Sequence, residues 1–286
     1  MIPDGKTQWF AVLGHPVAHT LSPTMHNAAF AALGMNALYG AFDVTPDRLA
    51  AALEGMQALG LGGANITVPL KETACRVLKH LDESAQRLGA VNTVRFGEDG
   101  PVGYNTDGEG FLRAVQEAFG APAAGKSVFI LGAGGAGRAV AIACAGAGVS
   151  QFALADLDSR RAEKLAMELE TQFTVSGAFV AEEAEDVLAA ARAADLVVQA
   201  TPAGMKPGEP SPLSPAAFRA GQWAFDLVYL YPETPFLRAA REGGAAAANG
   251  LGMLLHQGVK AFEIWTGRTP PADVMRRALE SKVYGA

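Results

Sequence analysis

The sequence predicts an α/β protein of two domains, and three observations carry that expectation. Apolar, strand-prone runs alternate with helical stretches from end to end, a pattern that places helices over the faces of largely parallel sheets. One run, Ser127-Val-Phe-Ile-Leu-Gly132-Ala-Gly134-Gly-Ala-Gly137-Arg-Ala-Val-Ala, reads as a strand entering a glycine turn that opens a helix. The chain has 286 residues, enough for one large core or two of medium size.

Taken in order, Gln8 to Leu13 is the first strand, and Ser22-Pro23 opens a helix through Leu33 with the serine as its cap. Leu38 to Val44 is the second strand, and Thr45-Pro46-Asp47 starts the next helix with a hydroxyl cap and a proline in the first turn. Ala64 to Val68 is a short strand stopped by Pro69, and a helix follows to about Leu81. Val91 to Phe96 and Val102 to Tyr104 form a hairpin around Gly97-Glu-Asp-Gly100. The helix Glu109 to Phe119 leads to the glycine turn, Gln151-Phe-Ala-Leu-Ala-Asp156 closes a βαβ unit, and strands at Leu196 to Ala200 and Trp223 to Val228 extend a parallel sheet. Gly252 to Trp265 is one long amphipathic helix. The expected division is a first α/β domain over 1–107, completed by the C-terminal helices of 252–286, and a Rossmann-type domain over 108–251, with a cleft between them.

Half the residues are apolar and 18% are charged, as in a globular protein. The formal charge of -6, with no Lys/Arg cluster, argues against a nucleic-acid surface. Cys75 and Cys144 have no metal spacing and read as buried, reduced thiols. The five histidines likewise show no zinc spacing, so no metal is expected. The N-terminal apolar run, Trp9 to Leu13, is too short for a signal peptide, and no apolar stretch reaches the roughly 18 residues of a membrane span. A cytoplasmic protein is expected.

The glycine turn has G-x-G-x-x-G spacing. Gly132 allows the tight turn, Gly134 lets the backbone approach a pyrophosphate, and Gly137 permits close helix–strand packing. With Ala133, Gly135 and Ala136 the turn presents the unpaired N–H groups of a helix N-terminus to an anion. Asp156 lies 19 residues past Gly137, about where a ribose-binding carboxylate belongs. Three polar clusters end strands in the first domain: Thr20-Leu-Ser22, Asn65-Ile-Thr67-Val-Pro-Leu-Lys71 and Asn105-Thr-Asp107. A lysine and a carboxylate in a closed site suit the proton exchange that accompanies oxidation of a secondary alcohol. Each also has a plainer reading, Lys71 as a surface lysine in a helix's first turn and Asp107 as a helix cap.

The same segments carry a family resemblance. Gly14-His-Pro-Val-Ala-His19-Thr20-Leu-Ser22-Pro-Thr-Met-His26-Asn, Gly63-Ala-Asn65-Ile-Thr67-Val-Pro-Leu-Lys71, Gly89-Ala-Val-Asn92-Thr and Gly103-Tyr-Asn105-Thr-Asp107-Gly resemble the substrate-domain motifs of shikimate dehydrogenases. Gly132 to Gly137, Ala200-Thr-Pro-Ala-Gly-Met205, Asp226-Leu-Val-Tyr229 and Asn249-Gly-Leu-Gly-Met253-Leu-Leu-His-Gln257 match the rest in order. The resemblance implies hydride transfer between a nicotinamide cofactor and the C3 alcohol of shikimate or quinate, with Lys71 and Asp107 as the catalytic pair. It makes Thr20 and Ser22 the hydroxyls for the substrate carboxylate, where the family usually has two serines. It also makes Asn65, Thr67, Asn92 and Gln257 binders of the ring hydroxyls, with Tyr229 lining the cleft. Thr201, Gly250 and Met253 join the glycine turn and Asp156 around the cofactor. His15, His19 and His26 become structural hydrogen-bonding groups.

NADP-preferring members carry Asn-Arg-Thr after the second Rossmann strand, whereas this chain has Asp156-Leu157-Asp158. A carboxylate accepts from ribose hydroxyls and repels a phosphate of charge near -2. NAD is therefore expected, on the pattern of the quinate/shikimate branch, with Arg160 and Arg161 able to turn toward a phosphate. The alternatives are an NADP-dependent biosynthetic enzyme, a dehydrogenase for an amino-shikimate, another Rossmann enzyme such as a folate dehydrogenase, and a non-catalytic metabolite sensor. The expected partner is a small polyol carboxylate, with no nucleic acid and no membrane and with room for a homodimer.

Overall fold

The computed structural model describes residues 2–206 and 208–285. They form two compact units, one of residues up to Thr106 together with those from Leu255 onward, the other Asp107–Leu254.

Unit 1 contains β1 (Gln8–Gly14), α1 (Ser22–Ala32), β2 (Ala37–Asp43), α2 (Leu49–Ala58), β3 (Gly63–Ile66), α3 (Lys71–Val77), β4 (His80–Leu81), α4 (Glu83–Leu88), β5 (Thr93–Gly97) and β6 (Gly100–Tyr104). Its sheet has the order β2-β1-β3-β5-β6-β4. The first three strands are parallel, and β5 then runs antiparallel to both β3 and β6. The tight turn between β5 and β6 is the hairpin expected around Gly97-Glu-Asp-Gly100, and such a turn can join only antiparallel neighbours. The central strand β1 is buried from Phe10 to Gly14, which is why it reads as a continuous apolar run and not as an alternating one.

Several boundaries differ from those the sequence suggests. The helix after Pro69 stops at Val77, and His80-Leu81 pairs beside β6 before Asp82 caps α4 through the Ser84 N–H. Ser22 is the first residue of α1 and makes no capping bond; its own N–H donates to Thr20 Oγ1 (3.3 Å). Thr45 precedes a short 3₁₀ turn without a side-chain cap. Cys144 is fully buried, which pushes its thiol up to about 12, whereas Cys75 is only partly covered.

Unit 2 contains α5 (Asp107–Phe119), β7 (Ser127–Leu131), α6 (Gly135–Gly146), β8 (Gln151–Ala155), α7 (Ser159–Gln172), β9 (Gly177–Val180), α8 (Ala184–Ala193), β10 (Leu196–Gln199), β11 (Trp223–Asp226), α9 (Pro235–Glu242) and β12 (Ala246–Asn249). All its strands are parallel, in the order β12-β11-β10-β7-β8-β9. This doubly wound order reverses direction between β7 and β10, and ligands bind outside the strand ends at such a switch point. Helices cover the sheet through narrow apolar stripes: α7 buries Ala162, Leu165, Ala166 and Leu169, the spacing of one helical face.

Next, α10 (Leu251–Thr266) starts in unit 2 and enters unit 1 at Leu255, and α11 (Ala272–Tyr284) packs along α1. The helices close an aromatic core in which Trp265 lies 5.3 Å from Phe10 and Phe262 lies 5.2 Å from Phe30. Trp265 Nε1 donates to Val94 O (3.0 Å), and its ring leaves no room at Gly63, where a Cβ would come within 2.2 Å.

Candidate active site

In unit 1 the polar residues singled out from sequence gather around the ends of β3, β5 and β6. Asn65 sits in β3 directly across from Thr93 of β5, which in turn pairs with Tyr104 of β6. Asn65 Nδ2 donates to the Asn92 carbonyl (3.0 Å) and to Thr93 Oγ1 (3.1 Å). A carbonyl can only accept, so this contact fixes which end of the amide is nitrogen. Its Oδ1 faces the other way and accepts from the Tyr39 hydroxyl (2.7 Å). Asn92 is held as firmly: Oδ1 accepts from the Thr106 N–H (2.8 Å) and Thr93 Oγ1 (3.0 Å), and Nδ2 donates to Thr106 Oγ1 (2.9 Å). Thr106 Oγ1 donates onward to the Gln257 carbonyl on α10 (3.1 Å).

Beside this network the Thr20 hydroxyl donates to Ser22 Oγ (3.3 Å). Ser22 also reaches the buried Tyr39 hydroxyl, whose ionisation is pushed well above the ordinary range by desolvation. Buried polar groups so fully interlocked do not shift to suit a ligand, which favours selectivity for one pattern of hydroxyls. Thr67 follows β3 and is partly covered, and Lys71 opens α3 with its carbonyl accepting the Val91 N–H (3.0 Å). Thr93 and Thr106 carry as much of the network as the amides. Thr106 lies within the Asn105-Thr-Asp107 motif and Thr93 ends the Gly89-Ala-Val-Asn92-Thr motif, although neither threonine is singled out there as a site residue.

Of the histidines, His15 makes a side-chain hydrogen bond and His26 departs from expectation. His15 Nδ1 lies 2.6 Å from Asp43 Oδ1 at the surface. His26 is fully buried with neither ring nitrogen hydrogen-bonded, stacked on Tyr39 (4.6 Å) and tilted against Trp265 (5.2 Å). Desolvation lowers its pKa to about 3. It acts as a neutral aromatic ring, not as the hydrogen-bonding group the sequence suggested, because α1 turns it into the apolar core.

In unit 2 the glycine turn joins β7 to the N-terminus of α6. A Cβ at Gly137 would meet the Gly132 carbonyl oxygen at 1.8 Å, and Gly132 itself has φ +103° against Ala200 and the Thr201 methyl. These contacts give a physical reason for glycine at both positions, and they leave backbone N–H groups at a helix start free of side-chain cover, as a pyrophosphate requires. Asp156 clasps the turn: Oδ2 accepts the Ala133 N–H (2.8 Å), and Oδ1 accepts the Asp158 N–H (2.9 Å). Arg160 and Arg161 both turn to Asp158, at 2.9 and 3.8 Å, at the exposed start of α7.

A cavity of about 500 Å³ opens beside the clasp, bordered by Asp156, Leu157, Glu182, Thr201 and Pro212 among others. Its size and apolar walls suit an adenosine. Gly250 follows β12 with its Cα pressed on Leu227, where a Cβ would meet the carbonyl at 2.3 Å, and Met253 lies on α10. Asp107 is the first residue of α5, and Tyr229 follows β11, its hydroxyl pushed upward by burial.

Residues 12–94 match the model of the shikimate dehydrogenase substrate binding domain, and residues 250–280 match that of the shikimate 5'-dehydrogenase C-terminal domain. A protein of Moorella thermoacetica named shikimate dehydrogenase (NADP(+)) is 51% identical over 96% of this chain and 93% of its own length. The chain belongs to the shikimate dehydrogenase family. A relative of the same name from Methanopyrus kandleri is 45% identical over 96% of each chain. Among solved structures, the Listeria monocytogenes shikimate 5-dehydrogenase in complex with shikimate and NAD has a TM-score of 0.90 at 35% identity, covering 97% of this chain and 98% of the other. Among the described residues, no helix is long and apolar enough to cross a membrane.

Proposed function

We propose that this shikimate dehydrogenase family member interconverts shikimate and 3-dehydroshikimate with a nicotinamide dinucleotide. The observation that carries this reading is the interlocked network of Asn65, Asn92, Thr93 and Thr106, with Thr20 and Ser22 beside it. It offers acceptors and donors in fixed directions to a ring bearing several hydroxyls, and a hydroxyl pair to the carboxylate. Thr67, Gln257 and Tyr229 complete the binding of the substrate. A bound nicotinamide supplies the hydride acceptor at the alcohol carbon. Lys71 and Asp107 manage the hydroxyl proton, taking it from the oxygen as the carbonyl forms and relaying it outward. The Gly132–Gly137 turn, Thr201, Gly250 and Met253 hold the dinucleotide.

The names of the relatives favour NADP(+) as cofactor. One observation favours a second reading, NAD: Asp156 stands where a 2′-phosphate would need a cation, Leu157 beside it is fully exposed, and both nearby arginines are turned to Asp158. Steady-state kinetics with shikimate and quinate, each against NAD and NADP, tests both questions. Activity on shikimate at least ~10-fold above quinate in kcat/KM supports the biosynthetic reading, and the reverse supports a quinate dehydrogenase. No turnover of either substrate removes the assignment and leaves a metabolite-binding homologue. An NAD-to-NADP ratio of ~10 or more is expected if Asp156 governs the choice, and an excess for NADP overturns the second reading.

A further inference from the structure

Asp156 is not well placed to be the only reader of the ribose. Each of its oxygens is already drawn to a backbone N–H, one from the glycine turn and one from the turn after β8. Those two bonds orient the carboxylate and spend much of its accepting power on the fold.

A second carboxylate, Glu182, borders the same cavity as Asp156. Leu154 of β8 pairs with Val180 of β9, and the Ala181 N–H continues the ladder to the Leu154 carbonyl (2.9 Å). Two residues further on, past the last paired residues of β8 and β9, Asp156 and Glu182 both border the 500 Å³ cavity. Glu182 is exposed at the mouth of the 500 Å³ cavity, and it has no hydrogen bond or ion pair among the described residues. Asp156 and Glu182 are the titratable residues among those bordering this cavity, and no described lysine or arginine borders it.

We propose that Glu182 is a specificity-determining residue for the cofactor, accepting a hydrogen bond from the ribose hydroxyls and repelling a 2′-phosphate. The inference rests on the reading of the cavity as the adenosine site and on the NAD reading above. Asp156 then serves mainly to hold the turn in shape, and Glu182 supplies the carboxylate with free lone pairs. With two carboxylates on one rim, a phosphate of charge near -2 meets a field that no facing cation offsets. Because Glu182 is solvated, its share of the repulsion falls as salt rises.

The test is binding, measured by calorimetry of NAD+ and NADP+ with the protein free of substrate, for the native chain, Glu182→Gln and Glu182→Ala. The native protein should bind NAD+ at least ~10-fold more tightly than NADP+. Glu182→Gln should narrow that gap by ~3-fold or more, through tighter NADP+ binding, and leave thermal stability unchanged as expected for an exposed side chain. In Glu182→Ala, NADP+ binding should gain likewise, while NAD+ loses a few-fold with its hydrogen bond. A native preference for NAD+ that neither variant alters overturns the role of Glu182 and leaves the NAD reading standing on Asp156. Native binding of NADP+ as tight as that of NAD+ overturns the NAD reading itself, and the role of Glu182 with it.

Discussion

Lys71 opens α3, where the helix dipole works against a cation, so a lysine at this position calls for a reason beyond helix formation. If it holds the hydroxyl proton during turnover, Lys71→Ala should lower kcat by about 10²-fold or more with a smaller change in substrate KM. A rise in KM alone would make Lys71 a binding residue. Thr20 poses a subtler question, because its hydroxyl meets Ser22 while its methyl fills space that a serine would leave open. One methyl in a pocket is worth roughly 1–3 kcal/mol of discrimination. Thr20→Ser should therefore shift the shikimate-to-quinate ratio of kcat/KM by about 10-fold toward shikimate, chiefly through KM. An unchanged ratio would pass the role to Tyr39, whose hydroxyl links Ser22 to Asn65, or to Tyr229.

At the scale of elements, the β7–turn–α6 unit stands or falls on the Gly137–Gly132 approach. Gly137→Ala would drive a Cβ into a carbonyl oxygen, so the helix must move off the strand. A loss of about 1–3 kcal/mol or more in unfolding free energy is expected, together with loss of dinucleotide binding in titration. An alanine variant that bound cofactor normally would show that the turn has slack the structure does not suggest. This unit was readable from sequence because glycine spacing, an apolar strand and Asp156 are local signals. The strand β12 was not, since Ala246-Ala-Ala-Asn249 has no β-branched or aromatic residue and forms a strand only because β11 offers an edge. The same limit hid the short β4, whose two residues form a strand only beside β6. Of the candidate site, the motifs exposed Asn65 and Asn92, but the Tyr39–Asn65 bond spans 26 positions and the cavity shared by Asp156 and Glu182 depends on the pairing of β8 with β9. Neither leaves a trace in local pattern.

For the whole molecule, two buried groups give stability an opposed dependence on pH. His26 has its pKa depressed to about 3 by burial, so the unfolded chain binds a proton below about pH 6.5 that the folded chain refuses. Stability from this source is full above pH 6.5 and falls toward pH 3 by up to about 1.4 kcal/mol per pH unit. Asp226 is raised to about 6 by burial, opposed by bonds from Thr234 Oγ1 and the Val228 N–H, so it favours the fold most below its unfolded value and loses that advantage as pH rises to about 6. Chemical denaturation across pH 4–7 should show His26→Phe flattening the acid limb and Asp226→Asn steepening it. The same slope in native and His26→Phe proteins would mean that His26 gains a proton without unfolding. The core of unit 1 is finished only by Phe262 and Trp265, so during synthesis Phe10, Phe30 and Tyr39 leave the ribosome long before the residues that cover them. The continuous segment 107–254 has no such wait, and it should become protease-resistant first, in reversal of the usual N-to-C order. Pulse proteolysis of nascent chains stalled once the residues up to 254 have cleared the ribosome would find unit 2 protected and the early aromatic segment still open to cleavage.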